Sequence, residues 1–278
     1  MKRDLLISVT DKCNYQCSFC SASQEMSLRQ TGLLEIQTSL HKLREEVSDL
    51  GIVTYSGGEP LLAPSKLSSI IDTVDSLWGN QKNRLVTNGR YISKTPTDLL
   101  DRFGTIIVGI DGYALSERPL TRFLESGDYS FFERCAEYID VVEFRQVVGR
   151  SQLTRLDWVE DVRRLHLALS NLGRRVLFHI TLDSYLTTPL SDYETDNFIR
   201  GFRELLVPTP GVDITLDRVF GTTLCDCRAQ HVVSHTGDSR TASTLSSKLP
   251  YGCALLSNSI GQKSYERIFN MIRELGNE

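Results

Sequence analysis

The sequence has no long apolar run, and this absence excludes two classes of protein. Basic residues stand at positions 2 and 3, but the apolar stretch that follows them is too short for a signal-peptide core. No later run approaches the roughly 20 apolar residues of a membrane-spanning helix. We therefore predict a cytoplasmic protein that does not enter the membrane.

The chain also lacks an excess of one charge. Its 31 basic and 35 acidic residues are mixed along the sequence and leave a formal charge of -4. A nucleic-acid or membrane-surface protein would carry a basic face, so neither partner is predicted. There is no internal repeat and no Gly, Ser or Pro linker, and 278 residues suit one large domain with a small appendage.

Cysteine is scarce, with seven in the chain, yet three of them fall within residues 13–20. Thiols stay reduced in the cytosol, where disulfides are rare. Clustered cysteines in such a protein therefore favour metal ligands or catalytic thiols over disulfide bonds.

Short apolar runs alternate with segments of helical spacing over the first two thirds of the chain. Buried parallel strands are predicted at 5–9, 51–56, 84–88, 105–110, 141–148 and 175–182. The main helices between them are predicted at 33–51, 66–78 and 151–172. This order predicts a parallel α/β fold, either a barrel or an open doubly wound sheet, with all strand carboxyl ends at one edge.

The last third of the chain has a different pattern. Helices are predicted at 191–206 and 264–275, with a strand at 212–219 between them. The polar stretch 228–252 is predicted to be a loop or a loosely structured insert, because its Ser and Thr residues leave little to bury.

Cys13, Cys17 and Cys20 form the pattern C-x3-C-x2-C directly after the first predicted strand. Three thiolates from one loop can hold three irons of a 4Fe-4S cluster and leave the fourth iron without a protein ligand. A structural zinc site closes its tetrahedron with four ligands, and no Cys or His follows nearby to complete one. The spacing therefore favours an iron-sulfur cluster over zinc or three unrelated buried thiols.

This spacing, with Phe19 before the third cysteine, resembles the radical S-adenosylmethionine (radical SAM) superfamily. The resemblance implies that the open iron chelates the methionine part of SAM, and that electron transfer from the cluster yields a 5'-deoxyadenosyl radical. It also implies a partial (β/α)6 barrel at residues 1–185 and a small C-terminal extension at 186–278.

A second motif strengthens the resemblance. Residues 55–60 read Tyr-Ser-Gly-Gly-Glu-Pro and match the family's GGEP motif, whose backbone binds the SAM amino group. Two weaker matches are Thr87-Asn88-Gly89 and Gly109-Ile110-Asp111-Gly112, for which ordinary turns are the alternative. The second departs from the family at Gly109, where many relatives carry Ser. The resemblance therefore implies a set of SAM-binding residues: Phe19, Ser56, Gly57, Gly58, Glu59, Asn88 and Asp111.

Cys225, Cys227 and Cys253 bracket the polar stretch. Several branches of the superfamily hold an auxiliary iron-sulfur cluster in such an extension, called SPASM or, in its short form, twitch. A second cluster here would have an open iron or a fourth ligand from His231, His235 or Cys135. Alternatively the three are buried thiols, or one donates a hydrogen atom to a substrate radical, as in radical SAM epimerases.

Polar residues on the fifth and sixth strands are candidates for substrate contact. Glu143 and Arg145 share one face of their strand, and His179 and Asp183 share one parity on the next. Parallel strands are usually apolar on both faces, so these residues predict a lined cavity for a polar substrate. A core histidine and a structural Glu143–Arg145 pair are the alternative.

The sequence therefore predicts an enzyme that abstracts hydrogen from an unactivated C–H bond of a polar metabolite, such as an aminosugar or nucleoside. Epimerisation is the first expected outcome, and oxidation or rearrangement follow. A flavodoxin or ferredoxin is the expected reductant. One alternative is a peptide-modifying maturase. We expect no leader-peptide recognition domain ahead of the barrel, and this expectation makes the peptide alternative less favoured. Another is a non-catalytic iron-sulfur or zinc protein.

Overall fold

The computed structural model describes residues 3–15, 17, 32–79, 81–111, 127–128, 130–153, 157–173, 175–182, 188–208, 210, 231–233, 239–241 and 262–275. The strands are β1 (Arg3–Thr10), β2 (Leu50–Gly57), β3 (Lys82–Thr87), β4 (Thr105–Asp111), β5 (Val141–Val148), β6 (Arg175–Leu182), β7 (His231–Val233) and β8 (Ser239–Thr241). The helices are α1 (Leu33–Glu46), α2 (Pro64–Trp78), α3 (Thr97–Leu100), α4 (Ser130–Tyr138), α5 (Arg150–Leu153), α6 (Asp157–Asn171), α7 (Asp192–Leu205) and α8 (Gln262–Leu275).

The strands form one sheet in the order β6-β5-β4-β3-β2-β1-β7-β8. Neighbours from β1 to β6 are parallel and follow chain order, so the six-stranded part is an open, partial (β/α)6 barrel. This confirms the predicted fold class. The carboxyl ends of all six strands lie at one edge, because each connection returns the chain to the same end of the sheet.

The two faces of this sheet differ in character. One face packs into a hydrophobic cluster with helix residues such as Ile36 of α1 and Ile70 of α2. These apolar strand side chains of that face are at most 2% exposed: Leu5, Ile7, Val9, Val53, Tyr55, Leu85, Ile106, Val108, Val142, Phe144, Val148, Val176 and Ile180. We call the opposite face the inner face; it carries Glu143 and Arg145.

Two predicted elements differ from those observed. The helix predicted at 33–51 ends at Glu46, because Val47 adopts an extended backbone and Leu50 begins β2. The helical signal at 151–172 is divided between α5 and α6.

The polar stretch 228–252 is not only a loop, since it contains β7 and β8. β7 pairs in parallel with residues 5–7 in the middle of β1, and β8 pairs antiparallel with β7. The outer edge of β1 offers backbone N–H and C=O groups, which pair with a further strand whatever its side chains. The strand predicted at 212–219 lies outside the described residues.

Helix α7 packs against α5 and α6, and α8 packs against α7. Ser191 and Glu194 form a capping box that begins α7. Phe198 of α7 stacks on Trp158 of α6, with ring centroids 6.1 Å apart. The predicted domain boundary falls outside the described residues and stays a prediction. None of the helices in the described ranges is long and apolar enough to cross a membrane.

Candidate active site

The loop that follows β1 and the loop that follows β2 are joined by backbone hydrogen bonds. Gly58 N–H donates to the Thr10 carbonyl at 2.6 Å, and Glu59 N–H donates to the Lys12 carbonyl at 2.8 Å. These bonds continue the β1–β2 pairing past the strand ends. They bring the GGEP motif against the loop that carries Cys13.

Two glycines allow the loops to approach this closely. Gly57 has a φ of 126°, a conformation that side chains disfavour. A Cβ atom at Gly58 would lie 2.3 Å from the Lys12 carbonyl oxygen, and one at Gly57 would lie 2.3 Å from that of Thr10. The contacts would be with backbone atoms that cannot move independently, so the positions require glycine.

Glu59 anchors the GGEP loop to β3. Its carboxylate is fully buried, and Oε1 accepts hydrogen bonds from Leu61 N–H at 3.0 Å and from the Thr87 hydroxyl at 2.8 Å. Oε2 accepts a hydrogen bond from Asn88 N–H at 2.7 Å. A buried carboxylate is stable only when it is hydrogen-bonded, and here three donors surround it. Its side chain is therefore structural, and any SAM contact would come from its backbone.

Asn88, at the end of β3, turns its amide toward the cysteine loop. Nδ2 donates to Asn14 Oδ1 at 2.9 Å and lies 3.8 Å from Cys13 Sγ, within hydrogen-bonding distance for sulfur. Oδ1 accepts from Arg90 N–H at 3.0 Å. The end of β3 thus contacts both preceding loops.

Two of the three predicted cluster ligands are described. Cys13 is exposed, Cys17 is half-buried, and Tyr15 N–H donates to Cys13 Sγ at 3.4 Å. An accessible thiol that accepts N–H donors suits a cluster thiolate, because such donors stabilise negative charge on sulfur. Within the described ranges no three His, Cys, Asp or Glu side chains are grouped as a metal site. Cys20 and Phe19 lie outside those ranges.

One cation lies near the same edge. Burial lowers the pKa of Lys66, in the first turns of α2, and the negative charges of Asp11 and Glu35 oppose that effect. Asp11 directly follows β1, so Lys66 lies close to the start of the cysteine loop.

The predicted substrate residues are partly described. Glu143 is 2% exposed, and Arg145 Nε lies 3.5 Å from its Oε1. Arg145 pairs in register with Gly109 of β4 and with His179 of β6. Asp111 ends β4, paired with Val147, and only its backbone is described. Asp183 lies outside the described residues.

Of the four later cysteines, Cys135 is the one within the described residues. Cys135 on α4 is 1% exposed, and burial raises the pKa of its thiol to about 12. It belongs to the hydrophobic cluster, so it is a core side chain and a poor cluster ligand. Cys225, Cys227, Cys253 and His235 lie outside the described residues, and His231 begins β7 opposite Leu5.

Sequence reasoning misses one residue and misjudges another. Asn14 lies between two cysteines and accepts the Asn88 amide, a role that no motif signalled. The alternative for Thr87-Asn88-Gly89 was an ordinary turn, but the Thr87 hydroxyl donates a hydrogen bond to the Glu59 carboxylate. The position of Thr87 directly before Asn88 and Gly89 was the available signal.

Comparisons with known proteins agree with this geometry. The model of the Radical SAM superfamily matches residues 7–151, just over half of the chain. GTP 3',8-cyclase of Streptomyces coelicolor is 35% identical over 99 residues, covering 34% of this chain and 29% of that protein. The same-named protein of Pseudomonas fluorescens is 26% identical over 157 residues, covering 56% and 44%. The chain thus spans less than half the length of these curated relatives.

Solved structures share the fold at low sequence identity. Hexahistidine-tagged anSMEcpe with bound AdoMet aligns with a TM-score of 0.57 at 16% identity, covering 96% of this chain and 82% of that one. Streptococcus suis SuiB bound to S-adenosylmethionine aligns at 0.54 and 14%, covering 96% and 67%. At these identities the likeness extends to the fold alone.

Proposed function

The chain belongs to the radical SAM superfamily, and we propose that its reaction begins at a C–H bond of a polar small molecule. When bound, the reduced 4Fe-4S cluster would supply the one electron that cleaves SAM to methionine and a 5'-deoxyadenosyl radical, and this radical would abstract the hydrogen. The sequence and its family require SAM, this cluster and a reductant; a flavodoxin or ferredoxin is the proposed donor.

We propose that residues at the carboxyl ends of β1–β3 bind the cluster and SAM, and that residues of β4–β6 bind the substrate. Cys13, Cys17 and Cys20 are the proposed cluster ligands. The glycines of the GGEP motif are proposed to support SAM binding, because they let the backbone of the motif come close to the Thr10 and Lys12 carbonyl groups beside Cys13. Ser56, on the inner face at the end of β2, is half-buried beside this loop and is a proposed contact to SAM.

The Glu143–Arg145 pair on the inner face is the observation that favours a polar substrate. A buried carboxylate with a guanidinium 3.5 Å away offers both an acceptor and a cation to hydroxyl, amine or phosphate groups. Arg145 is in register with Gly109 of β4 and His179 of β6, so these three residues lie in one row across three strands. We propose that this row, with Asp111 and Asp183, forms the substrate site.

A nucleoside or nucleotide is the first substrate class we propose. The curated relatives are named for a reaction of GTP, and such a substrate combines the hydroxyls, ring nitrogens and negative charge that Glu143 and Arg145 would bind. The likeness to enzymes solved with peptides extends to the fold alone, so a peptide substrate remains the second choice.

Rearrangement now precedes epimerisation among the proposed outcomes. Epimerisation needs a hydrogen donor, and within the described part of the chain the thiol outside the cluster loop is the buried Cys135. That donor would have to be Cys225, Cys227 or Cys253. Ring closure or rearrangement needs no thiol, and the relatives' names describe a cyclase.

We also propose that Cys225, Cys227 and Cys253 hold an auxiliary cluster. Two 4Fe-4S clusters would give about eight irons per chain, and replacing Cys13, Cys17 and Cys20 together by Ala should leave about four. A triple variant without iron would contradict the auxiliary cluster.

The test of the reaction is anaerobic reconstitution with SAM and dithionite. We expect 5'-deoxyadenosine from the wild-type protein and none from Cys13→Ala. We further expect GTP to raise its rate about tenfold over the substrate-free level. If 5'-deoxyadenosine forms but GTP and other nucleotides and nucleosides leave its rate unchanged, the substrate class is wrong. If none forms under any condition, the enzyme proposal is wrong.

The outcome is tested by running the stimulated reaction in deuterated water. Solvent deuterium on a substrate carbon would indicate a thiol donor and therefore epimerisation. A product without deuterium at carbon would support rearrangement or oxidation, which the mass of the product separates.

A further inference from the structure

We propose that Asn88 is a positioning residue that donates a hydrogen bond to the Cys13 sulfur and so raises the reduction potential of the cluster. The proposal rests on Cys13 being a cluster ligand, as proposed above. It gives the Asn88 side chain a role toward the cysteine loop, beyond its predicted place among the SAM-binding residues.

The orientation of the Asn88 amide follows from its neighbours. Oδ1 accepts from Arg90 N–H at 3.0 Å, and a carbonyl oxygen is the end of the amide that can accept. Nδ2 must therefore be the end that faces Asn14 Oδ1 at 2.9 Å and Cys13 Sγ at 3.8 Å. Its two hydrogens serve these two acceptors.

The position of Asn88 is also fixed. Its backbone N–H donates to the buried Glu59 carboxylate at 2.7 Å, and the residue is 9% exposed. Glu59 in turn holds the GGEP loop, whose own backbone bonds to Lys12 beside Cys13. The hydrogen bonds therefore form a closed circuit through the ends of β1, β2 and β3. Each of these hydrogen bonds helps to keep the Asn88 side chain facing the Cys13 sulfur.

The chemical consequence concerns charge on sulfur. Reducing a cluster adds negative charge that its thiolate ligands share, and an N–H donor stabilises this charge more in the reduced state than in the oxidised state. Asn88 itself is 9% exposed, so water competes little for its amide donor. Removing the Asn88 amide should therefore make the cluster harder to reduce.

The test is a redox titration of the reconstituted full chain, followed by EPR. The signal to follow is the one that SAM alters, because SAM is proposed to bind the cluster held by Cys13, Cys17 and Cys20. The variants are Asn88→Ala and Asn88→Asp, with Asn83→Ser as the matched control. Asn83 is also a buried asparagine of β3, but it stands near the start of the strand, away from the cysteine loop.

At the wild-type midpoint potential, we expect the ratio of reduced to oxidised cluster to fall at least threefold in Asn88→Ala. For a one-electron couple this corresponds to about 28 mV, from 59 mV per tenfold change. The ratio should fall further in Asn88→Asp, since this substitution places a hydrogen-bond acceptor against the sulfur. Asn83→Ser should keep the wild-type ratio.

Several results would overturn the proposal. Unchanged ratios in both Asn88 variants at wild-type iron content would do so, and so would an equal fall in Asn83→Ser, which would indicate a general effect on β3. If Asn88→Ala loses its iron, Asn88→Asp decides, because it keeps the size of the side chain and the acceptor for Arg90. A SAM-sensitive cluster that survives Cys13→Ala would instead contradict the ligand role of Cys13, a separate failure.

Discussion

The carboxyl edge of β1–β3 and that of β4–β6 are built in different ways. At the first, backbone hydrogen bonds and two glycines hold the loops together, and the buried Glu59 ties them to β3. At the second, regular strand pairing continues to the ends, and the chemistry lies in side chains such as Glu143 and Arg145. A cofactor site of fixed shape can be built from backbone, whereas a substrate site changes with its side chains.

The thiols of the two halves show the same contrast. Cys13 is exposed and accepts a backbone N–H, whereas Cys135, on the helix between β4 and β5, is buried in the core. Burial without a charged partner raises the pKa of Cys135 to about 12, so its thiolate is scarce at neutral pH.

The largest expected effect comes from Gly58→Ala. The new Cβ would lie 2.3 Å from the Lys12 carbonyl oxygen and force the two loops apart. We expect formation of 5'-deoxyadenosine to fall about 100-fold, since a displacement near 1 Å at a reacting centre can have that effect. The matched control is Gly104→Ala, where a Cβ meets no atom within 4 Å. Equal activity of the two variants would contradict the close approach of the loops.

A second test breaks the anchor of the same half. Glu59→Gln keeps the size of the side chain but places an NH2 group where only acceptors fit. We expect the free energy of unfolding to fall by about 2 kcal/mol, the usual effect of losing a buried charged hydrogen-bond partner. Urea unfolding of the metal-free protein measures it, with the exposed Glu45→Gln as control. A difference below about 0.5 kcal/mol between the variants would argue against the anchor.

The other half is tested by Arg145→Ala. Because Arg145 lies on the inner face at the proposed substrate site, we expect iron content and substrate-free SAM cleavage to stay within about twofold of wild type. Stimulation of that cleavage by GTP should fall about tenfold, as expected for loss of a charged hydrogen bond. The exposed Arg164→Ala, on α6, should retain full stimulation. Loss of iron in Arg145→Ala would show that cluster binding at β1–β3 depends on side chains of β4–β6.

The smallest effect is expected at Cys135. With a thiol pKa near 12, its thiolate fraction at pH 8 is about one in 10,000, so iodoacetamide should not label it in the folded protein. Labelling should become rapid in urea. Cys135→Ala should leave iron content unchanged, and a loss of iron there would restore Cys135 as a possible ligand. Mass spectrometry of the labelled peptide gives the readout.

Much of the fold followed from the sequence because its signals are local. The six strands and the helices α2, α7 and α8 appear close to their predicted bounds, since apolar spacing depends on neighbours in the chain. Prediction failed where a distant partner decided the structure. β7 and β8 lie in a polar stretch, and β7 forms because the edge of β1 is available to it.

The sequence by itself determined the kind of chemistry, because the spacing of Cys13, Cys17 and Cys20 and the two adjacent glycines are properties of short segments. Only the tertiary structure decided how these segments act together. Asn88 and Cys13 are 75 positions apart, and Glu59 and Asn88 are 29 apart, yet they join in one circuit of hydrogen bonds. Such contacts depend on the order and register of the parallel strands, which no local pattern encodes.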